Sequence, residues 1–145
     1  MTIRLLGPGD EATAERACRV FETEGDLDCA AFLARKEAVL IVAEDEGDVV
    51  GWVYGQELVH PDGEVTMLLY ALDVADAAQR RGFGRRLTEA FVANARDRGC
   101  TEVWVLTDET NAAALATYRS AGGVLDPGQT VMFAWKLADG NHSDD

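Results

Sequence analysis

The sequence predicts an α/β domain of the α+β kind, with helices on both faces of a mixed central sheet of about six to seven strands. Strand-like and helix-like apolar segments alternate along the chain. A near-continuous apolar run at residues 67–74 is typical of a strand that is covered on both faces. The chain has 145 residues, 48% of them hydrophobic, which is enough for one core. We therefore expect a single domain over residues 1–137 and a polar tail over 138–145.

The first elements are a strand and two helices. Residues 2–6 read as a strand that a Gly-Pro-Gly segment ends. Asp10 is the expected N-cap of a helix that runs to about Phe21. The acidic segment 22–28 reads as a loop, and a short helix is predicted at residues 29–35.

The middle of the chain predicts three antiparallel strands. Residues 38–43 and 49–58 form two strands joined by the acidic turn 44–48. A second turn at residues 60–63 leads into the long strand that ends at Val74.

The second half alternates helix and strand. A helix over residues 84–98 stops at Gly99, a natural residue for a helix C-terminus. A strand at 102–107 precedes a helix at 111–121, which a Gly-Gly pair ends. Residues 130–137 are predicted to form a last hairpin arm that closes the sheet.

The charge of the chain restricts its partners. A formal net charge of −13 makes nucleic acid an improbable ligand, because phosphates would be repelled. The same charge attracts cationic partners. Acidity that only keeps the protein soluble remains the alternative.

The cysteines and the apolar runs indicate a reduced, cytoplasmic setting. The three cysteines, Cys18, Cys29 and Cys100, lack the spacing of metal ligands, and their odd number argues against a disulfide framework. We expect no bound metal. No signal peptide is visible and no apolar run is long enough to span a membrane, so we expect no membrane association.

The segment Gln79–Arg86 lies between the buried strand and an amphipathic helix. It contains Gly82, Gly84 and four arginines in a chain that is otherwise acidic. A Gly-x-Gly turn that opens a helix leaves backbone N–H groups free at the positive end of the helix dipole. The segment therefore predicts a site for a phosphate-bearing ligand. The alternative is a tight strand-to-helix turn that binds nothing.

Gln79, Gly82 and Gly84, with the strand before them and the helix after them, resemble the pyrophosphate loop of the GNAT acetyltransferases. The order of elements over residues 2–137 is also similar to that family. The resemblance implies acetyl-CoA as cofactor, with its pyrophosphate on backbone N–H groups and its pantetheine arm between splayed fourth and fifth strands. The cofactor-binding residues it implies are Leu72, Val74, Gln79, Arg80, Arg81, Gly82, Phe83, Gly84, Arg85, Asn111 and Tyr118.

Asn111 and Tyr118 lie about two helical turns apart, so they face roughly the same side of one helix. The resemblance implies that Asn111 contacts the pantetheine or the substrate and that Tyr118 protonates the departing CoA thiolate. The alternatives are a helix N-cap for Asn111 and an ordinary packed aromatic for Tyr118.

Acetyl transfer to an amine also needs a base and an oxyanion donor, because only the deprotonated amine attacks the thioester. The candidate bases are Asp73 and Asp108, and a backbone N–H near Val74 is the expected oxyanion donor. Similar enzymes carry a carboxylate where this chain has Ala71, on the same strand face as Asp73. Either aspartate replaces it, or this copy is impaired. Each aspartate could instead bind a substrate ammonium or the backbone.

Residues 67–135 resemble the aminoglycoside 3-N-acetyltransferases of the AAC(3)-I type, which implies a cationic small-molecule substrate. The carboxylates expected to bind it are Asp26, Asp28, Glu64, Asp108 and Glu109. The alternatives are a GNAT enzyme for another amine (a polyamine, an amino sugar or a protein N-terminus) and a catalytically silent acyl-CoA-binding module. A homodimer is expected by resemblance only.

Overall fold

The computed structural model describes residues 1–22, 27–128 and 130–137. Across these ranges it contains five strands and four α-helices, with a short 3₁₀ turn at Asp76–Ala78 before the third helix. The elements in chain order are β1 (Thr2–Leu5), α1 (Glu11–Phe21), α2 (Cys29–Ala34), β2 (Ala38–Asp45), β3 (Asp48–Val59), β4 (Val65–Val74), α3 (Phe83–Asp97), β5 (Val103–Trp104) and α4 (Ala112–Ser120).

The five strands form one mixed sheet in the order β1-β2-β3-β4-β5. The first four strands pair antiparallel, whereas β4 and β5 pair parallel. The mixed α/β architecture is therefore confirmed. The predicted count of six to seven strands is wrong for the described ranges, which contribute five.

Two predicted strands account for the difference. The strand expected over residues 102–107 pairs only at Val103 and Trp104. The arm expected over residues 130–137 makes no ladder with the sheet, and its Phe133 and Trp135 are 77% and 79% exposed. Since β5 pairs over two residues only, it offers too short an edge for an eight-residue strand. The predicted tail, residues 138–145, lies outside the described residues.

Helices cover both faces of the sheet, as predicted. The face under α3 is filled by side chains from β2, β3, β4 and the helix, with Met67, Leu87 and Phe91 fully buried. The opposite face, under α1 and α2, is filled by residues of β2 and β3 that point to the other side of the sheet, including Leu40 and Trp52. The two cores explain why β2 and β3 are apolar on both faces. The expectation that the strand at residues 67–74 is covered on both faces is wrong for its second half, where Tyr70 is 68% exposed and Asp73 is also exposed.

Asp10 stands at the N-cap position of α1, but its side chain does not cap that helix. Its carboxylate accepts from the Gly7 N–H at 2.9 Å and pairs with Arg4 at 3.1 Å. The bond from Gly7 and the Arg4 guanidinium hold the pKa of Asp10 below its usual range. The predicted cap instead stabilises the turn that leads from β1 into α1.

A β-bulge interrupts the pairing of β3 and β4. Tyr54 is opposite Ala71 and Gly55 is opposite Leu69, so Tyr70 is the extra residue. Main-chain groups of alternate residues of β4 point toward β5, and the extra residue shifts this alternation by one position. The bulge also leaves Tyr70 beside Tyr54, with 5.6 Å between the ring centroids.

The bulge requires glycine at position 55. A Cβ there would overlap the Leu68 carbonyl oxygen and lie 2.8 Å from the Phe91 ring. We expect Gly55→Ala to lower the free energy of unfolding by at least about 2 kcal/mol, because the backbone of β4 must move. Gly7→Ala is the matched control, since a Cβ at position 7 meets nothing within 4 Å. Urea denaturation of both variants tests this, and equal stabilities would contradict the account of the bulge.

Candidate active site

The first turn of α3 presents free backbone donors. Gly82 is the N-cap residue, with a φ of 85°, and no side chain of the described residues caps the helix there. The first helical bond of this end runs from the Arg86 N–H to the Gly82 carbonyl. The N–H groups of Phe83, Gly84 and Arg85 therefore lie at the helix end without a partner in the helix. This is the geometry that binds phosphate groups.

The two glycines of the loop have different roles. Gly82 adopts a left-handed conformation, which a residue with a Cβ adopts only with strain. Gly84 lets α3 approach α4 and β4, because a Cβ there would lie 3.2 Å from Thr117 and 3.9 Å from Val74. The end of α3 is thus held against the two elements that carry the other predicted site residues.

Two of the four loop arginines pair with carboxylates of the protein. Arg81 pairs with Asp45 at 2.9 Å, and its guanidinium lies 5.1 Å from the centroid of the Phe83 ring. Arg85 pairs with Glu89 at 2.9 Å, one turn along α3. Arg80 has a positive φ of 65°, which bends the chain into the glycine turn. The main chain, rather than these exposed side chains, provides the preorganised donors of the site.

The upper part of β4 supplies further main-chain groups. The Ala75 N–H donates to the Val50 carbonyl, so Ala75 bonds to β3. In an antiparallel pair only every second residue bonds to the partner strand, so counting back from Ala75 every second residue of β4 bonds to β3. Leu72 and Val74 therefore direct their N–H and C=O groups toward the β5 side. The Val74 carbonyl is used there by Gln79, whose side-chain amide donates to it at 3.1 Å. Gln79 thus braces the loop against β4.

The β5 side of this edge is open. Parallel pairing is confined to Met67–Val103 and Leu68–Trp104, and no later residue of β4 has a partner in β5. The pairing therefore ends where the predicted splay begins. The N–H groups of Leu72 and Val74 face this opening, where the resemblance places the pantetheine arm.

Helix α4 contributes Asn111 and Tyr118. The Asn111 side chain accepts from the Ala114 N–H at 3.0 Å, so the N-cap alternative for this residue is confirmed. Tyr118 is half-buried against the core beneath α3. Burial, and then the charge of Asp73, raises the pKa of the Tyr118 phenol. Tyr118 is therefore a protonated group at neutral pH.

Asp73 is held by a buried tryptophan. The Trp52 indole N–H donates to the Asp73 carboxylate at 2.9 Å, and Trp52 is itself 3% exposed. Asp73 is opposite Trp52 and Ala71 is opposite Tyr54, so positions 71 and 73 share a face of β4 as predicted. The exposed carboxylate of Asp73 is thus fixed at the end of β4.

Asp108 and Glu109 lie in the exposed turn before α4. The Asp108 carboxylate accepts from the Thr110 hydroxyl at 2.6 Å and from the Thr110 N–H at 2.7 Å. Both bonds lower the pKa of Asp108. A lowered pKa makes the Asp108 carboxylate a weaker proton acceptor than an ordinary aspartate, which counts against it as the base.

A cavity of about 250 Å³ opens between α1, α2 and the sheet. A chain of aromatic rings adjoins it, with centroids 5.0 to 5.9 Å apart, formed by Phe21, Trp52, Tyr54, Phe32 and Tyr70. The Tyr54 hydroxyl donates to Glu22 at 3.4 Å, and burial raises the pKa of Tyr54 to about 12. Glu22 and Asp28 are the carboxylates that line this cavity.

The carboxylates predicted to bind substrate are not gathered in one place. Asp28 lines the cavity but also caps α2, accepting from the Ala31 N–H at 3.2 Å. Asp26 lies outside the described residues. Glu64 is nine residues before Asp73, roughly 30 Å away along the strand, and accepts a bond from the Thr101 hydroxyl. The structure does not bring Glu64 to the site.

The aromatic wall of the cavity was not predicted from the sequence. Trp52 and Tyr54 alternate along β3 and therefore share a face, which is a signal that the sequence contained. The neighbouring thiols of Cys18 and Cys29 gave no such signal, because they come from different helices.

A free helix N-terminus with a glycine cap, beside an open strand edge, fits the predicted pyrophosphate loop. The acetyltransferase (GNAT) family model matches residues 10–122, which include all of these elements. The chain belongs to the GNAT acetyltransferase family. GNAT enzymes use acetyl-CoA, and the donors of α3 and β4 fit its diphosphate and amide groups.

Solved structures share this fold. An aminoglycoside acetyltransferase from an uncultured soil metagenomic sample, in complex with sisomicin, superposes with a TM-score of 0.84 at 23% identity over 94% of this chain and 96% of its own. The aminoglycoside N-acetyltransferase AAC(6')-Iy in complex with CoA has a TM-score of 0.73 at 17% identity over 94% of this chain and 100% of its own. These likenesses establish the fold.

Curated proteins with similar sequences are mycothiol acetyltransferases rather than aminoglycoside acetyltransferases. A mycothiol acetyltransferase from Thermomonospora curvata is 35% identical over 84% of this chain, and one from Cellulomonas flavigena is 32% identical over 84%. The chain spans only 43% and 40% of the length of these two proteins. In the ranges that the structure describes, no helix is both long and apolar enough to cross a membrane.

The glycine cap of α3 predicts the effect of one substitution. Gly82→Val should raise the Kd for acetyl-CoA at least about 100-fold, because two or more charge-assisted hydrogen bonds of about 1.5–3 kcal/mol each are lost. Isothermal titration calorimetry measures this.

Gly99→Val is the matched control for that variant. Gly99 has a φ of 86° and open space around it, like Gly82, but it lies at the other end of α3. It carries the same backbone strain without touching the anion site. Equal affinities for acetyl-CoA in the two variants would contradict the assignment of the loop.

Proposed function

We propose that this GNAT acetyltransferase acetylates an amine of an aminoglycoside, at the 3-N position by resemblance. The observation that carries the proposal is the cavity between α1, α2 and the sheet, where aromatic rings and carboxylates occur together beside Asp73. Aminoglycosides are polycations built from sugar rings. Carboxylates attract their ammonium groups, and ring faces of Trp52 and Tyr54 offer apolar surface to the sugar.

Asp73 is the proposed base. The Trp52 indole N–H fixes one oxygen of its carboxylate and leaves the other free to accept a proton from the acceptor ammonium. Ala71, on the same face, offers no carboxylate of its own, so Asp73 is the acidic group of β4 at this position. Trp52 is a positioning residue in this arrangement, because it acts only through Asp73.

The N–H of Val74 is the proposed donor to the developing negative charge. It faces the open side of β4, and the carbonyl of the same residue is held by Gln79. A backbone donor fixed in this way needs no rearrangement during the reaction. When bound, acetyl-CoA supplies the thioester whose acetyl group is transferred.

Tyr118 is the proposed acid. Its phenol is half-buried, and burial keeps it protonated by raising its pKa. It also lies on α4, whose Thr117 touches the glycine turn of α3. A protonated phenol beside the cofactor loop can give its proton to the departing thiolate.

A second candidate acceptor is an amine related to mycothiol, which the curated relatives favour by name. The catalytically silent acyl-CoA-binding module stays the third alternative, because Ala71 replaces the expected carboxylate. The homodimer also stays a proposal. Sedimentation velocity of the full chain would measure the oligomeric state.

The decisive experiment is a thiol-release assay with acetyl-CoA against aminoglycosides, polyamines and mycothiol-related amines. The proposal expects turnover with an aminoglycoside, and NMR of the product to place the acetyl group on the 3-amine. Turnover with only another class of amine would move the function to that class. Binding of acetyl-CoA without turnover on the whole panel would favour the silent module.

Substitution of two tyrosines should distinguish the chemical step from binding of the acceptor. We expect Tyr118→Phe to lower kcat about 100-fold, because a general acid is lost, while the Kd for acetyl-CoA stays the same. We expect Tyr54→Phe to raise the KM for the acceptor, because the bond to Glu22 is lost, with little change in kcat. Unchanged turnover in Tyr118→Phe would remove that residue from the mechanism.

The raised pKa of Tyr118 also predicts a pH dependence. The phenol is protonated, and so can act as the acid, at pH values below its pKa. Its contribution to kcat is therefore lost only as the pH rises through that pKa. We therefore expect kcat to fall at alkaline pH with a midpoint above the ordinary tyrosine pKa of about 10. A pH profile of kcat in which Tyr118→Phe retains the same alkaline fall would contradict this assignment.

A further inference from the structure

Two thiols lie next to each other in the wall of the cavity between α1, α2 and the sheet. The Sγ atoms of Cys18 and Cys29 are 3.9 Å apart. Cys18 lies in the last part of α1, and Cys29 is the first residue of α2. Both side chains line the cavity. Neither is used by the proposed chemistry.

We propose that Cys18 and Cys29 form a reversible disulfide that controls entry of the acceptor amine. The proposal rests on the proposed function in one respect, namely that this cavity receives the acceptor. A disulfide has an S–S distance of about 2.05 Å, so the two sulfur atoms must approach by about 2 Å. Open space in the cavity lies beside both side chains, so a rotation of one or both is possible without displacing the core.

The covalent step requires an oxidant, for which a low-molecular-weight disulfide is sufficient. One cysteine thiolate attacks the oxidant disulfide, which forms a mixed disulfide and releases one thiol. The second cysteine then attacks the mixed disulfide, which closes the Cys18–Cys29 bond and releases a second thiol. The protein loses two hydrogens and two electrons, and the oxidant gains them.

The position of the pair explains why closure would matter for the acceptor. Glu22 and Asp28, the carboxylates that line the cavity, lie close in sequence to Cys18 and Cys29 respectively. A bond between Cys18 and Cys29 draws α1 and α2 together where both line the cavity. The cofactor loop lies on other elements, so its affinity for acetyl-CoA stays the same.

Burial makes the Cys18 thiol slow to react. Burial and the neighbouring Cys29 raise the pKa of the Cys18 thiol to about 11. Cys18 is therefore protonated at neutral pH and reacts slowly. Closure then needs an excess of oxidant or a long exposure, which suits a response to sustained oxidation.

The test treats the full chain with oxidised glutathione and maps the cysteine linkages by mass spectrometry. We expect a Cys18–Cys29 linkage, a rise of about tenfold in the KM for the acceptor, and an unchanged Kd for acetyl-CoA. Reduction with dithiothreitol should restore the original KM. In Cys29→Ser the KM should be the same before and after oxidant. Cys100→Ser, which removes the third cysteine away from the cavity, should respond like the unaltered chain.

Two results would overturn the proposal. One is the absence of a Cys18–Cys29 linkage in folded protein after prolonged oxidation. The other is a linkage that leaves the acceptor KM unchanged. The mapping needs no acceptor, so it stays informative if the proposed substrate is wrong. In that case the indole N–H resonance of Trp52, which lines the same cavity, must shift on closure, and an unshifted resonance overturns the proposal.

Discussion

Backbone N–H groups that have no hydrogen-bond partner among the described residues are the constraint on which the site depends. They occur in the first turn of α3 and along the part of β4 beyond its pairing with β5. Leaving such groups free costs stability unless water or a ligand satisfies them. The protein maintains them with two local devices, the glycine cap at Gly82 and the bulge opposite Gly55. Both place main-chain donors toward one opening.

The side chains around these donors hold them in place rather than replace them. Gln79 ties the loop to the Val74 carbonyl, and Arg81 ties it to Asp45. On the other face, Trp52 holds Asp73. The proposed cofactor and acceptor sites therefore meet the same stretch of β4 from different sides, because its edge borders the opening and its face borders the aromatic cavity.

Much of this arrangement could be predicted from the sequence. The run at residues 67–74, the Gly82–Gly84 turn and the amphipathic helix after it are local patterns, and the structure places each where local rules require. The bulge could not be predicted, because β4 is apolar on both faces and no alternation marks the change of register. The two-residue length of β5 and the exposed arm at 130–137 depend on distant pairing rather than on local preference.

The acceptor side was predicted less completely for a related reason. Acidic residues were expected to gather around a polycation, but their positions depend on how loops return to the sheet. Asp28 caps a helix, and Glu64 lies at the far end of β4. The aromatic rings of Trp52 and Tyr54 form the wall instead. Glu22 and Asp28 are the carboxylates that line the cavity beside them.

The central claim is that the amides at the start of α3 bind the diphosphate of acetyl-CoA. Amide NMR of the isotope-labelled chain, titrated in parallel with CoA and with pantetheine, tests it most directly. The account predicts that the amide signals of Phe83, Gly84 and Arg85 shift strongly with CoA and hardly at all with pantetheine, which lacks the diphosphate. Equal shifts with both compounds, or no shift at these three amides while CoA is bound, would contradict it.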